Sequence, residues 1–149
     1  MYLKSILATG ALLFSAIAFA DLTPWQDYEA SDAVWTVTTV KVHPNMDDAY
    51  LEGLAKTWVA GNKISKELGQ IEDWAIYRSD LPQSGDFNLL LVVKFANTAD
   101  LAPNKARYDA FMAKWGQENA DASTDYAQKN YPAMREITGM YQMRKIELK

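Results

Sequence analysis

The sequence contains no cysteine and only one histidine, His43, in 149 residues. Without cysteine there is no disulfide framework, thiolate zinc site, iron–sulfur cluster or cysteine nucleophile. One histidine cannot build a multi-histidine metal cage within a single chain. Basic residues are in the minority: 15 Lys and Arg against 19 Asp and Glu give a net charge of −4. Nucleic-acid binders draw their affinity from clustered cations, so this balance argues against that class. Familiar catalytic signatures are missing too. There is no phosphate-cradling glycine loop and no Gly-x-Ser-x-Gly around a serine nucleophile.

What is present begins at the N-terminus. Lys4 precedes residues 5–20, an uncharged, mostly apolar stretch that ends Ala18-Phe19-Ala20 before Asp21. A cation, an apolar run and an Ala-x-Ala site are the parts of a secretory signal peptide. These 16 residues include Ser, Thr and Gly, and a bilayer span takes about 20 mostly apolar ones. The expectation is a leader over residues 1–20, cleaved after Ala20, and a periplasmic or secreted protein with no membrane anchor. Cleavage would leave 129 of the 149 residues, and loss of Lys4 would move the net charge from −4 to −5. A domain of that size buries roughly two-thirds of its unfolded surface, enough for a core without cross-links. Residues 21–30, with Pro24 and no clear period, read as an arm pinned by Trp25 and Tyr28. Residues 31–149 read as one domain.

Within that domain residues 31–42 read as a strand, since residues 34–42 are almost wholly β-branched or aromatic. Pro44 stops it, and Asn45 or Asp47 is placed to cap a helix. Tyr50, Leu51, Leu54, Ala55, Trp58, Gly61, Ile64 and Leu68 then recur at spacings of three and four, one apolar helix face. Residues 71–78 form a second strand and 87–95 a third, joined by turn residues into an antiparallel hairpin. A second helix runs from about Thr98 or Pro103 to Trp115, its buried stripe Tyr108, Phe111, Met112 and Trp115. A short helix follows over 116–130, and residues 139–148 give a fourth strand. The order βαββαβ is an α+β, ferredoxin-like arrangement with a four-stranded antiparallel sheet. Helices cover one face of such a sheet, yet Phe87, Leu89 and Leu91 alternate with Leu90 and Val92 on the third strand. Both faces are apolar. A second copy of the chain is the expected cover for the open one.

The pattern resembles the dimeric α/β-barrel superfamily, which includes antibiotic-biosynthesis-type monooxygenases and stress-responsive barrel proteins. The resemblance is carried by the run Lys41-Val42-His43-Pro44-Asn45-Met46 leading into Tyr50-Leu51-Glu52. It continues in the hairpin Trp74-Ala75-Ile76-Tyr77-Arg78 and Phe87-Asn88-Leu89-Leu90-Leu91-Val92. It covers residues 31–148. It implies a homodimer in which two sheets close into a barrel, with ligands held between sheet and helices. Members of the superfamily range from cofactor-free oxygenases and haem-binding enzymes to proteins without established chemistry, so fold does not decide function.

The catalytic candidates are His43, Asn62 and Tyr77. His43 has the chemistry of a general base or an axial haem ligand, against the plainer reading of an exposed turn residue. Asn62 lies one turn from Trp58; such pairs orient aromatic substrates in oxygenase members of the superfamily, whereas Trp58 on an apolar stripe equally reads as core. Tyr77 can donate a hydrogen bond into a pocket, and Arg78 can hold an anion or pair with Asp80 or Asp86 at the hairpin rim. Trp35, Trp58, Trp74 and Trp115, with Arg78, are the candidate ligand-lining residues. No metal site and no cofactor are expected, with haem as the exception to consider. Three readings stand open: an exported homodimer binding a small apolar or aromatic ligand, a cofactor-independent or haem-dependent monooxygenase, and a non-catalytic structural or interaction module.

Overall fold

A computed structural model describes residues 21–81 and 84–149; the expected leader over residues 1–20 lies outside them. In chain order the strands are β1 (Tyr28–Ala30), β2 (Val34–Val42), β3 (Asp73–Arg78), β4 (Leu89–Phe95), β5 (Arg135–Met143) and β6 (Ile146–Leu148). The helices are α1 (Asp47–Leu54), α2 (Ala60–Glu67), α3 (Lys105–Trp115) and α4 (Gln117–Met134). A π-helical turn, Ala55–Val59, joins α1 to α2, and a 3₁₀ turn, Thr98–Leu101, precedes α3.

Four strands form one antiparallel sheet in the order β3-β4-β2-β5. Strands adjacent in sequence, β3 and β4, form the hairpin, while β2 sits between β4 and β5. This is the expected ferredoxin-like topology. The register aligns Val40 with Leu89, and Thr38 with Leu91 and Ile76, on one face. On that face Val40, Val42, Leu89 and Leu91 pack with Tyr50, Leu54 and Tyr131 from the helices. Burying each such aliphatic side chain is worth roughly 1.5–3 kcal/mol, so these contacts hold the helix layer to the sheet.

Several local expectations give way to packing. Neither Asn45 nor Asp47 caps α1. Asn45 lies in the left-handed region at φ 64°, and Asp47 is already helical. The π turn advances the helix face by one residue, so Ala55 is exposed and Thr57 is buried in its place. On α3, Tyr108 points out at 61% exposure, and Arg107 joins Phe111, Met112 and Trp115 on the inner side. Helix α4 runs 18 residues and passes through Pro132, because the adjoining Tyr131 is locked in the core. The predicted last strand is two strands, and β6 leaves the main sheet to pair with β1. That ribbon ties the two chain ends: Ser31 N–H donates to Lys145 O (2.9 Å) and Lys149 N–H to Asp27 O (2.9 Å). Trp25 does not pin it. Its ring is exposed, and only its backbone takes part, donating to Tyr28 O and accepting from Lys149 Nζ.

The second sheet face bears Trp35, Val37, Leu90, Val92, Ala75 and Tyr77, continued on β5 by Tyr141 and Met143. It is apolar, as expected. Gly139 belongs to this face, and a Cβ there would meet the Tyr141 ring at 2.8 Å, so the ring lies over a bare backbone.

Candidate functional site

A cleft of about 320 Å³ opens where the sheet ends, between the exit of β2, the start of α1 and residues 78, 79, 81, 84 and 88 around the ends of β3 and β4. Lys41 and His43 come from β2 and its exit, Arg78 and Ser79 from the end of β3, and Asn88 from the entry to β4. Asp47 closes one side, while Val42, Pro44 and Leu81 supply apolar wall. Two residues singled out from the sequence, His43 and Arg78, therefore meet in one cavity.

The backbone here is held by side chains acting as substitute ladder partners. Asn88 Nδ2 donates to Val42 O (2.9 Å), and Asn88 Oδ1 accepts from Val42 N–H (2.7 Å). Its own N–H donates to Val40 O, and its carbonyl accepts from Ser79 N–H. One asparagine thus joins β2, β3 and β4 just beyond their last pair. His43 N–H donates to Met134 O (2.8 Å), and its Nδ1 lies 3.0 Å from Ala133 O. A carbonyl only accepts, so Nδ1 carries the hydrogen and Nε2 is the nitrogen left to a ligand. Lys41 Nζ donates to Gly85 O. Among the described residues the Arg78 guanidinium meets one carboxylate, Asp80, at 4.0 Å with both side chains at least half exposed. Such a pair is worth little.

A second crevice of about 320 Å³ lies between α2, β4 and the start of α3, and contains Asn62 and Arg107. Its polar groups are satisfied internally. Arg107 donates to Asp100 Oδ1 (2.8 Å) and to Gln70 O, while Gln70 Nε2 returns a bond to Arg107 O (2.7 Å). Asn62 Nδ2 donates to Trp58 O within its own helix (2.8 Å). These bonds anchor α3 to the loop after α2.

Of the other nominated residues, Trp35, Trp74 and Tyr77 line one small cavity of about 80 Å³, which Asn62, Trp58 and Trp115 do not line. Trp58 packs edge-on against Trp74, centroids 5.6 Å apart, and Trp115 lies beside Phe111. Trp35 is on the open face under Lys94 Nζ, 5.3 Å from the ring centre. Tyr77 shares that face and is 59% exposed. His43, Asn62, Trp58 and Tyr77 therefore do not converge. Among the described residues no group of three or more His, Asp or Glu could hold a metal ion, and no helix is long and apolar enough to cross a membrane.

Sequence periodicity did not disclose the polar network inside the helix layer. Thr57 Oγ1, buried at the π turn, donates to Gly53 O (2.9 Å) and lies 2.6 Å from Tyr131 OH. A hydroxyl has one hydrogen, so Tyr131 is the donor to Thr57. Burial pushes the Tyr50 and Tyr131 phenols above the ordinary 10.0, and nearby Arg135 opposes the shift at Tyr50. Gly53 is required by the rings around it, since a Cβ would lie 2.7 Å from Tyr126 Cε1 and 3.0 Å from Tyr131 Cε1.

The class these features define is an α+β protein with a ferredoxin-like sheet, one face of which is left open. No protein-family model matches the chain, and no curated protein is significantly similar to it. Solved structures are similar to it. A Shewanella oneidensis protein is 16% identical over 80% of this chain and 98% of its own, with a TM-score of 0.49. An uncharacterized NIPSNAP-like domain protein from Burkholderia xenovorans is 16% identical over 79% of this chain and 85% of its own, with a TM-score of 0.45. A dimeric protein of unknown function with a ferredoxin-like fold, from Bacteroides fragilis, is 11% identical over 80% and 99%, with a TM-score of 0.42. At such identities the likeness concerns fold alone.

Proposed function

We propose that this protein is an exported homodimer that binds a small molecule, its two sheets closing on each other through their open faces. The observation that carries the reading is the open face itself. Its centre is apolar, and its charges are matched within the protomer: Lys41 stands opposite Glu136 on β5, Asp73 Oδ1 is 2.7 Å from Lys66 Nζ, and Lys94 Nζ is 2.7 Å from Glu72. A face with no surplus charge does not select an oppositely charged partner, and it suits the same face of a second copy across a two-fold axis. Strand β5 adds to the argument. It is an edge strand, uncharged from Ile137 to Met143, with Met140 and Tyr141 more than half exposed. Edges of that kind call for cover.

Tyr50, Leu54, Tyr131 and Leu89 fill the middle of the sheet–helix layer. We therefore place the ligand in the end cleft, whose volume lies at the small end of the range for ligand pockets. That size suits a small organic molecule and does not suit a haem macrocycle. The dispersal of His43, Trp58, Asn62 and Tyr77 favours binding over oxygenase chemistry. Sedimentation of the purified protein at micromolar concentration tests the assembly: a dimer is expected, and a monomer overturns it. The mass of the protein recovered outside the cytoplasm tests export. A chain starting at Asp21 is expected, and retention of an intact chain inside the cell overturns that part.

A further inference from the structure

We infer that the cleft at the end of the sheet holds the carboxylate of a small organic acid, with Arg78 as its principal partner; the inference rests on the small-ligand reading above and names its chemical class. Two arginines line crevices of equal volume in this protein, and they differ in what they already hold. Arg107 is bonded to Asp100 and to the Gln70 carbonyl, and its crevice is a structural joint. Arg78 has only the distant, solvent-exposed Asp80 at 4.0 Å among the described residues. A guanidinium presents parallel N–H groups that match the two oxygens of a carboxylate, and such a bidentate pair is both stronger and more directional than a point-charge contact. Lys41 and His43 line the same cavity from the neighbouring strand end, where His43 contributes a ring nitrogen. The one carboxylate lining it, Asp47, belongs to the first turn of α1, where the helix's own positive end already offsets its charge. Pro44 and Leu81, both exposed, form an apolar wall beside these groups, which gives the body of the acid a surface to cover. Asn88 acts as a positioning residue, since it fixes Val42 between Lys41 and His43.

Nuclear magnetic resonance titration with benzoate, its neutral isostere benzamide and inorganic phosphate tests the assignment. Benzoate is expected to shift the amides of Val42, His43 and Ser79, and to bind at least about tenfold more tightly than benzamide. Arg78→Gln, at an exposed position, is expected to keep its thermal midpoint and lose that preference. Equal binding of benzoate and benzamide overturns the inference, as does a preference unchanged in Arg78→Gln. Tighter binding of phosphate than of benzoate overturns the carboxylate assignment, and so does an absence of cleft shifts at high millimolar benzoate. Every lining residue comes from one chain. Sedimentation of the same samples therefore separates the two ideas: a monomer that binds benzoate keeps the acid site and removes the dimer, while a dimer indifferent to benzoate does the reverse.

Discussion

Val34, Val40 and Leu89, on the helix-covered side of the sheet, are at most 1% exposed, whereas Tyr77, Tyr141 and Met143 on the other side are 50–59% exposed. The first three lie on the central strands β2 and β4, and the other three on the edge strands β3 and β5. Yet β2 and β4 show the same contrast within themselves, since their open-face residues Trp35, Val37, Leu90 and Val92 are only partly buried. What differs is the layer above them. Helices α1 to α4 bring Tyr50, Leu54 and Tyr131 onto the first face, while no described element supplies such partners to the second. Apolar area gains its roughly 25 cal/mol per Å² only when something removes it from water. The comparison teaches that this chain carries enough apolar sheet for two cores and closes one of them by itself.

The comparison can be broken at four points, in descending size. Leu89→Ala, at the centre of the closed face, is expected to cost about 2–5 kcal/mol, read from urea unfolding. A loss below about 1 kcal/mol would show the core to be loosely packed. Val37→Lys, at the centre of the open face, is expected to raise the dimer dissociation constant at least about a hundredfold, about 2.8 kcal/mol. Its far-ultraviolet circular dichroism should stay that of the parent, and a variant that remains dimeric would show that the interface lies elsewhere. Gly53→Ala forces a methyl against Tyr126 and Tyr131, and overpacking of this kind costs about 1–3 kcal/mol in the same urea assay.

The smallest effect is a pH dependence confined to the closed face. Burial raises the Tyr50 and Tyr131 phenols, so the folded protein keeps protons that the unfolded chain gives up near 10.0. Their contribution is complete below the unfolded tyrosine pKa and is lost as pH rises through the higher folded values. Thermal midpoints should accordingly fall on going from neutral pH past about pH 10, and fall less steeply in Tyr131→Phe. An unchanged slope in that variant would place the alkaline sensitivity elsewhere.

The central strands were legible because their evidence is local. Val34 to Val42 is a β-branched run stopped by Pro44, and Leu89 to Phe95 is an apolar run broken only by Lys94. The open face was legible for the same reason, since period-two alternation tells which side chains share a side. Features set by distant contacts were not. The shift from Ala55 to Thr57 depends on Tyr131, 74 residues away, reaching the π turn. Pro132 does not end α4, because the packing of Tyr131 outweighs one forgone helix bond. The split between β5 and β6 depends on β1 lying where it can pair. Within the cleft, His43 and Arg78 stood out as residue types beside breaks in the pattern. Asn88 did not, because one asparagine before an apolar run has no period to betray it.

The ribbon of β1 and β6 has a consequence for how the molecule comes into being. The first strand, Tyr28–Ala30, finds its partner only in Ile146–Leu148, and the central strand β2 needs β5, about a hundred residues further on. Pairings of such long sequence separation close late and slowly. A chain emerging from the ribosome N-terminus first can form α1, α2 and the β3–β4 hairpin in passing. It cannot complete either sheet until its last residues have appeared. Until then it remains an open, threadable polymer, and the native state arrives as a single final event.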